Sequence, residues 1–247
     1  MKCSNCEKEV VLSGPLLCKD HFCTYFEDKV LGAIQKYKMF GAGDKICVAV
    51  SGGKDSIVML DILSKKYKVS ALAIDEGISG YREHTLAWLK KYCLEKKIEL
   101  KMLSFSDAFG ETLDDLKKKN PCTECGTRRR ELMNKGSSGF DVLAVGHNLD
   151  DTAQTILMNL FKFTSDMMPR AMPVSAKSAK FIKRVKPLYY CTEKEVYLYA
   201  ILNGLAHKFV ECPYMYDSFR NDVRDSLNKY SRIEKENIVK KYLSIMG

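Results

Sequence analysis

The chain has no long hydrophobic run: among its 247 residues, the longest apolar stretches have only the length of a β-strand. A transmembrane helix needs about 20 apolar residues, so the sequence predicts no membrane span and no membrane partner. The first residues, Met1-Lys2-Cys3-Ser4, also lack the apolar core of a secretory signal peptide. We therefore expect a soluble protein of the cytoplasm.

Internal repeats and low-complexity segments are also lacking, and a chain of this length suffices for one main domain with a small addition. The 40 Lys and Arg residues outnumber the 31 Asp and Glu residues, which gives a formal charge of +9. This charge favours a polyanionic partner without identifying it. Ten cysteines would suggest disulfides in a small secreted domain, but without a secretion signal, metal binding or sulfur chemistry explains them better.

The most informative stretch is an apolar strand that ends in a loop suited to phosphate. The apolar run 46–50 is followed by a helical apolar pattern, and between them stands Ser51-Gly52-Gly53-Lys54-Asp55-Ser56. Glycine lets backbone amides approach an anion, Lys54 and the hydroxyls add donors, and the helix dipole points at the same place. The spacing is not that of a Walker A loop. The alternative is a Gly/Ser turn without a ligand.

Four N-terminal residues have the spacing of metal ligands: C-x2-C at Cys3 and Cys6, and C-x2-H at Cys18 and His21. Two close pairs of such ligands are typical of a closed, structural zinc site. Cys23 could replace His21 as the fourth ligand, and the alternative to metal is a set of free thiols at a frayed terminus. Because so short a segment has little core of its own, we expect zinc to stabilise it.

Strands alternate with helices through the middle of the chain, which predicts an α/β fold with a doubly wound parallel sheet. Strands are expected over 69–74, 98–105 and 141–145, and helices over 24–40, 81–96, 192–203 and 218–246 and in a segment that ends near residue 162. Residues 164–179 are expected to form a mobile loop over the site.

Parallel sheets bind ligands at the carboxyl ends of their strands, where several polar residues of this chain are expected to lie. These residues are Asp75, Gly146, His147, Asp150 and Asp151. The carboxylates could hold the magnesium ion of a nucleotide, although Asp151 could also cap the helix that follows it. We expect His147 to form a hydrogen bond at the strand end and assign it no catalytic role.

A further cysteine pair, Cys122 and Cys125, lies between the third and fourth predicted strands. Alone, a C-x-x-C fits a redox pair, half a zinc site or part of an iron–sulfur site. No other pair completes a second four-cysteine zinc site, and the comparable cysteine is Cys212. Three thiolates would leave one iron of a cluster without a protein ligand.

Arginines accompany both cysteine elements. Arg128, Arg129 and Arg130 follow the pair, Arg184 lies in a basic stretch, and Arg220 and Arg224 follow Cys212. They could form a solvated surface, but beside a cysteine pair and a nucleotide loop we expect them to bind phosphate.

Together these motifs resemble those of the tRNA 2-thiouridine synthetases of the archaeal and eukaryotic cytosolic type, in the PP-loop ATP-pyrophosphatase family. The resemblance covers nearly the whole chain, and the order of its motifs is more specific than any single one. The motifs are the four N-terminal ligands, the loop 51–56, Asp75-Glu76-Gly77, Cys122-x-x-Cys125-Gly126, Gly146-His147-Asn148-Leu149-Asp150-Asp151 and Cys212-Pro213-Tyr214.

The resemblance implies a PP-loop domain of the adenine nucleotide alpha hydrolase type, with a zinc module and C-terminal helices. The zinc module would span residues 1–24. The ATP-binding α/β domain, with the C-x-x-C insertion, would span 25–190. The helical region 191–247 would complete the cluster site and contact tRNA.

The resemblance also implies the chemistry. The C2 oxygen of a tRNA uridine attacks the α-phosphate of ATP, pyrophosphate leaves, and sulfur displaces AMP to give 2-thiouridine. The implied cofactors are ATP, Mg²⁺, Zn²⁺ and a 4Fe-4S cluster. The implied partners are tRNA, a sulfur donor, which is sulfide or a ubiquitin-like thiocarboxylate carrier, and a second copy in a homodimer.

Residue roles follow from the matched motifs. The implied catalytic residues are Lys54, Asp55, Asp151, Cys122, Cys125 and Cys212, of which the cysteines hold the cluster. The implied ATP-binding residues are Ser51, Gly52, Gly53, Lys54, Asp55, Ser56, Asp75, Gly146 and Asp150. The implied contacts to tRNA phosphate are Arg128, Arg129, Arg130, Arg184, Arg220 and Arg224.

The chain departs from the family pattern at three points. Lys186 and Arg129 stand where relatives often have Arg and Lys, so we expect Arg129 to bind phosphate rather than transfer a proton. The C-terminal zinc ribbon of many relatives does not follow the last predicted helix, which ends near Gly247. The spacing of Arg220 and Arg224 after Cys212 favours the wobble uridine as substrate.

Two other functions remain open from the sequence. One is an amide-forming or amidine-forming PP-loop ligase without iron–sulfur chemistry, which would have no use for the three cysteines. The other is a non-enzymatic zinc-bearing RNA-binding protein, against which the intact phosphate loop counts.

Overall fold

A computed structural model describes residues 1–116, 121–162, 169–175, 181–206, 212–214 and 219–246. The strands are β1 Leu12–Ser13, β2 Leu16–Leu17, β3 Ile46–Ala49, β4 Val69–Asp75, β5 Glu99–Ser104, β6 Val142–Ala144 and β7 Lys183–Val185. The first two form an antiparallel hairpin. The other five form one parallel sheet in the order β5-β4-β3-β6-β7.

Helices surround this sheet. They are α1 Lys19–Lys36, α2 Lys54–Lys66, α3 Arg82–Glu95, α4 Phe105–Phe109, α5 Pro121–Gly136, α6 Leu149–Lys162, α7 Glu193–Leu202, α8 Phe219–Leu227 and α9 Arg232–Met246. Within the described part of the chain, no helix combines the length and the apolar character needed to cross a bilayer.

Apolar side chains cover both faces of the sheet. Because successive side chains of a strand point to opposite faces, Val48 packs in one apolar layer and its neighbour Cys47 in the other. The first layer includes Phe26 of α1 and Ile57 of α2, and the second includes Leu132 of α5. Burial on both faces explains why the central strands β3 and β6 are continuously apolar rather than alternating. The structure therefore confirms the predicted doubly wound parallel sheet.

A third apolar cluster joins the C-terminal helices to α6. It contains Leu149 and Ile156 of α6, Val223 of α8, and Val239 and Tyr242 of α9. Through it, the last part of the chain packs beside the carboxyl end of the sheet, where α6 begins.

The structure corrects two predicted helices. The helix expected over 24–40 begins earlier, at Lys19, and ends at Lys36. The single helix expected over 218–246 is wrong: it is two helices, α8 and α9, separated at residues 228–231. Ser231 and Glu234 form a reciprocal cap at the start of α9, in which the Glu234 amide donates to the Ser231 hydroxyl. This S-x-x-E pattern was the overlooked sequence signal.

Two elements near the expected site were not predicted as regular structure. The C-x-x-C pair lies in the first turn of α5, and β7 adds an edge strand to the sheet. Of the loop expected over 164–179, residues 164–168 and 176–179 lie outside the described residues. Within 169–175, Val174 forms an isolated antiparallel bridge with Val185.

The contact between α1 and α7 provides a test of the fold. Phe26 is fully buried, and its ring stacks on that of Tyr199 with centroids 4.9 Å apart. We expect Phe26→Ala to lower the free energy of unfolding by about 3–5 kcal/mol, because it leaves a cavity in the core. Urea denaturation would measure this. Tyr197→Ala, at a half-exposed position of α7, is the control and should cost less than about 1 kcal/mol; equal losses would contradict the assigned core.

Candidate functional site

The phosphate loop joins β3 to α2, and its shape depends on hydroxyl contacts and one glycine. The Ser56 hydroxyl accepts a hydrogen bond from the Ser51 amide (3.1 Å) and donates one to the Gly53 carbonyl (2.9 Å). Gly52 has a φ of +81°, and a Cβ there would lie 2.8 Å from the Cβ of Thr85. Only glycine fits such a position. The N-terminus of α2 begins at this loop, with Lys54 as its first residue, and the helix dipole there is favourable for binding an anion.

The end of β6 packs closely on the start of α2. A Cβ on Gly146 would lie 3.1 Å from the Ser56 amide nitrogen, so glycine is needed for this approach. The next residue, His147, has an exposed side chain. Although the side chain is exposed to the open cleft, desolvation by the cleft lowers the pKa of His147, and the nearby cations Lys186 and Arg220 lower it further. Both effects favour the neutral imidazole.

Two adjoining cavities open at the carboxyl end of the sheet. One, of about 240 Å³, is lined by residues that include Ser51, Gly53, Ser56, Glu76, Arg129 and His147. The other, of about 200 Å³, is lined by residues that include Lys54, Gln154, Glu193, Arg220 and Arg224. Asp55 and Asp151 line both. The loop predicted to hold phosphate thus borders one continuous cleft.

Lys54 is held between carboxylates at this cleft. Its Nζ lies 2.8 Å from Oε1 of Glu193 and 3.1 Å from Oδ2 of Asp55. Partial burial lowers the pKa of Lys54, but the two carboxylates outweigh this and raise it. Glu193 also pairs with Arg224 at 3.2 Å. The ammonium group is therefore charged and fixed at the mouth of the phosphate loop.

Asp55 and Asp151 meet through Asn148, which caps α6. The Asn148 side-chain amide donates to Asp55 (2.9 Å), its oxygen accepts from the Asp151 amide (3.0 Å), and Asp151 accepts from the Asn148 amide (3.2 Å). Burial raises the pKa of both carboxyl groups, and Lys54 and Arg220 respectively oppose the shift. Asp151 therefore caps its helix, as the sequence allowed, and also faces the cleft. A divalent cation bound by Asp55 and Asp151 would offset the cost of burying two negative charges close together.

The other two predicted carboxylates have protein partners. Asp150 accepts from the Glu193 amide (2.8 Å) and from Lys235 (2.6 Å), so it ties α7 and α9 to α6. Asp75 accepts from the Gly77 amide (2.9 Å) and does not line either cavity. Its neighbour Glu76 does.

Glu76 connects the phosphate loop to the cysteine helix. Its carboxylate is only 4% exposed and forms ion pairs with Arg82 (2.7 Å) and Arg129 (3.0 Å). Arg82 also donates to the Ser51 carbonyl of the loop (2.6 Å). On the other side, Arg129 opposes the rise that burial causes in the pKa of Cys125. A single buried carboxylate thus links the two parts of the site.

The three cysteines predicted to act together are neighbours. The Cys122 thiol donates to the backbone oxygen of Tyr214 (3.2 Å), two residues after Cys212. Cys125 and Cys212 both pack against the apolar layer that contains Leu132. Burial raises the pKa of Cys125 to about 12, and burial also raises that of Cys212 against the effect of the Tyr214 amide. Both shifts favour the protonated thiols of Cys125 and Cys212, and a bound metal ion would oppose them.

A hydrogen-bonded clamp fixes the third cysteine. The Tyr214 hydroxyl donates to Asp114 (2.6 Å), which also accepts from the Ser79 amide (2.9 Å). Among the described residues, only the N-terminal group has three or more metal-ligand atoms all within 4.8 Å of one another. At least one pair among the sulfurs of Cys122, Cys125 and Cys212 is therefore more than 4.8 Å apart.

The N-terminal group gathers as predicted. The ligand atoms of Cys3, Cys6, Cys18 and His21 lie within 4.8 Å of one another, and His21 Nδ1 is 3.3–3.6 Å from the three sulfurs. Cys23 is not part of this group, and its sulfur is 3.5 Å from the side-chain amide of Asn203. His21 is therefore the better fourth ligand, and the set could hold one tetrahedral ion.

The six arginines predicted to bind phosphate differ in their surroundings. Arg128 pairs with Glu111 (2.6 Å) and Glu124 (3.0 Å), and Arg129 with the buried Glu76. At the cleft, Arg220 lies 3.6 Å from Asp151, and Arg224 pairs with Glu193. Among the described residues, Arg130 and Arg184 have no carboxylate within 4.0 Å, the limit for an ion pair.

Sequence reasoning missed Glu76, Arg82 and Glu193 as site residues. Glu76 is part of the motif Asp75-Glu76-Gly77. Because neighbouring residues at a strand end point to opposite sides, only one of Asp75 and Glu76 faces the cleft, and the sequence does not say which. Glu193 follows Thr192, which forms a capping box with Glu195. That box marks the start of α7, but nothing local indicates that Glu193 reaches Lys54.

Comparisons with known proteins agree with this geometry. A family model described as a PP-loop domain matches residues 24–231. The chain is 38% identical to the tRNA-5-methyluridine(54) 2-sulfurtransferase of Pyrococcus horikoshii, over 98% of this chain and 82% of the relative. It is 35% identical to cytoplasmic tRNA 2-thiolation protein 1 of Xenopus laevis, over 97% of this chain and 75% of the relative.

Solved structures give the same result. The U34-tRNA thiolase NcsA from Methanococcus maripaludis, with its 4Fe-4S cluster, matches with a TM-score of 0.87 and 35% identity, over 99% of this chain and 87% of that chain. The NH3-dependent NAD synthetase from Campylobacter jejuni, at 15% identity and a TM-score of 0.51, shares the fold. The predicted family and fold are confirmed: the chain belongs to the PP-loop family, in the group of archaeal and eukaryotic cytosolic tRNA 2-thiolation proteins.

Proposed function

We propose that this chain is a cytoplasmic tRNA uridine 2-sulfurtransferase that uses ATP to activate the C2 oxygen of uridine and then replaces that oxygen with sulfur. One observation carries the proposal. The phosphate loop and the cysteine helix meet at the same cleft, where Glu76 pairs with Arg82 on the loop side and with Arg129 on the cysteine side.

The first step takes place at the phosphate loop. The loop amides and Lys54 bind the phosphates of ATP, and the uridine C2 oxygen attacks the α-phosphorus while pyrophosphate leaves. Lys54 stabilises the charge that grows on the phosphate oxygens. Asp55 and Asp151 are the carboxylates that would hold Mg²⁺, because they line both cavities. Asp150 lines the cavity beside Lys54 but not the other, and it is bound by the Glu193 amide and by Lys235.

The second step uses the cysteines. Cys122, Cys125 and Cys212 would hold a 4Fe-4S cluster: Cys125 and Cys212 pack against the same apolar layer, and Cys122 contacts the backbone two residues after Cys212. Three cysteines would leave one coordination site of the cluster without a protein ligand, and the chemistry supplied there would be the delivery of sulfur. When sulfur replaces the activated oxygen at C2, that oxygen leaves with AMP, so the products are 2-thiouridine, AMP and pyrophosphate.

The remaining assignments extend the same proposal. Cys3, Cys6, Cys18 and His21 would bind structural Zn²⁺, and the protein would act as a homodimer with sulfide or a thiocarboxylate carrier as sulfur donor. Arg130, Arg184, Arg220 and Arg224 would contact tRNA phosphate. We assign no such contact to Arg128, which has two carboxylate partners, or to Arg129, which pairs with the buried Glu76. Arg220 and Arg224 each have one carboxylate partner among the described residues, and that carboxylate lies in the cleft and is more exposed than Glu76.

The two other functions are not favoured. A PP-loop ligase has no use for three gathered cysteines, and an RNA-binding protein without activity has no use for an ordered phosphate loop.

Incubation with ATP, sulfide and unmodified tRNA, followed by mass spectrometry of nucleosides, should detect 2-thiouridine. Mapping of the modified fragment would locate the uridine, since the relatives' names refer to positions 54 and 34.

Lys54→Ala should slow adenylation by about a hundredfold or more, because a preorganised charge at the phosphates is removed. Release of pyrophosphate from ATP in the presence of tRNA would measure it. Lys66→Ala, at an exposed position of the same helix, is the matched control and should behave as the unaltered protein does. Unchanged adenylation in the Lys54 variant would remove this residue from the mechanism.

Cys212→Ser should abolish thiolation and the brown colour after anaerobic reconstitution, because the third thiolate is removed, while zinc stays near one per chain. Metal analysis and nucleoside mass spectrometry would measure both. Cys23→Ser is the control: it should keep both metals, since Cys23 lies outside both groups. Full thiolation by the Cys212 variant with sulfide as donor would overturn the assignment of the three cysteines.

Tyr214→Phe should weaken iron retention about tenfold without changing zinc content, because hydrogen bonds outside the ligands orient them. The variant removes the hydroxyl that bonds to Asp114 and so loosens the segment of Cys212. The rate of iron loss to a chelator would measure this. Tyr230→Phe, at an exposed tyrosine, is the control; identical rates for the two variants would show that the clamp does not position the cysteine.

A further inference from the structure

Arg128 ties the helix that carries two of the cysteines to the segment that precedes it. Its Nη2 donates to Glu111 (2.6 Å), and its Nε donates to Glu124 (3.0 Å), one turn earlier on α5. The guanidinium carbon also lies 4.7 Å from the centre of the Phe109 ring. Because the Arg128 side chain is only 14% exposed, these contacts hold it more firmly than an ion pair on the open surface would.

The contacts of Arg128 lie behind the cysteines. Glu124 stands between Cys122 and Cys125 in the first turn of α5, and on a helix it shares a face with Arg128 rather than with the two cysteines. The first amides of a helix have no partners within it, so this turn depends on other contacts for its position. Arg128 therefore fixes the turn from a face that does not carry the thiols.

The same preceding segment holds the third cysteine. Asp114 accepts a hydrogen bond from the Tyr214 hydroxyl (2.6 Å), two residues after Cys212. We call residues 109–114 the anchor segment. Its first part contacts Arg128 and its last residue contacts Tyr214, so one short stretch touches both elements that carry the cysteines, although these are far apart in the sequence.

The anchor segment is itself fixed to the residues that follow β4. The Leu113 side chain is buried, and the Leu113 amide donates to the Glu76 carbonyl (2.8 Å). Thr112 packs so closely on Gly77 that a Cβ on Gly77 would lie 2.6 Å from the Thr112 Cβ. Because the anchor segment takes its position from the sheet and not from the cysteines, it can set the distance between them.

We propose that Arg128 is a positioning residue which, together with Tyr214, sets the separation of the two cysteine elements through the anchor segment before any iron is bound. The inference rests on the proposed function, in which the cysteines hold the cluster. It gives Arg128 a role at the cluster in place of the contact with tRNA phosphate that the sequence predicted. Ligands that are already in place bind a metal more tightly, because less freedom of motion is lost on binding.

Alkylation of the iron-free, zinc-loaded protein tests this positioning without the cluster. Arg128→Gln should let iodoacetamide modify Cys125 about tenfold faster, because the loss of charge-assisted hydrogen bonds makes the turn open more often. Mass spectrometry of peptides would measure the rate. Arg128→Lys keeps the charge but not the forked geometry, so it should restore only part of the protection.

Two further variants complete this test. Glu111→Gln leaves α5 unaltered but removes a partner of Arg128, and it should also speed the modification of Cys125. Lys135→Gln, at an exposed position of the same helix, is the control and should react as the unaltered protein does. An unchanged rate in both Arg128→Gln and Glu111→Gln would contradict the positioning role.

The reconstituted protein supplies a second readout. Arg128→Gln should lose iron to a chelator about tenfold faster than the unaltered protein does, while zinc content stays the same. Its affinity for an unmodified tRNA transcript, measured by fluorescence anisotropy over a series of KCl concentrations, should not change. If the slope of log affinity against log salt fell by about one in this variant, Arg128 would be a phosphate contact and the inference would be overturned.

These measurements also separate the inference from the function on which it rests. If the unaltered protein thiolates tRNA but the variants change neither the alkylation of Cys125 nor the loss of iron, the positioning role of Arg128 alone fails. If the variants behave as expected but the unaltered protein forms no 2-thiouridine, the proposed function fails and the placement of the cysteines stands. If the unaltered protein binds no iron, both fail.

Discussion

The buried carboxylate of Glu76 is the interaction on which the site depends. A carboxylate that is 4% exposed is costly without partners, so it holds the guanidinium groups of Arg82 and Arg129 in place. Arg82 supports the phosphate loop through the Ser51 carbonyl, and Arg129 stands beside Cys125. The two halves of the chemistry are thus joined by one ionic network, and neither half can shift without changing the environment of the other.

On the opposite side of the cleft, the C-terminal helices hold the start of α6 in place. Asp150 binds Lys235 of α9 and caps the start of α7, while the next residue, Asp151, caps α6 and faces the cleft. The position of Asp151 therefore depends on how the end of the chain packs, although that end carries no loop residue. The helices that follow the sheet therefore help to shape the cleft.

Local patterns predicted much of this arrangement. The loop 51–56 was identifiable because phosphate-binding residue types follow an apolar strand, and His21 because paired ligand spacings are local. The break between α8 and α9 was missed although Ser231 and Glu234 marked it. The contact of Lys54 with Glu193 joins residues 139 positions apart, and strand alternation selects Glu76 over Asp75 only once the sheet is known. Both features depend on how distant elements pack together, and the spacing of residues in the sequence does not determine that packing.

The ion pair between Lys54 and Glu193 has a consequence for selectivity. The protein itself supplies counter-charges for the cation of its phosphate loop, so an incoming anion must compete with Glu193 rather than enter an open positive field. Orthophosphate carries too little charge and too few oxygens to do so well. A polyphosphate accompanied by a divalent ion would satisfy Lys54 and its carboxylate partners at once, so we expect the loop to prefer such a ligand to small anions.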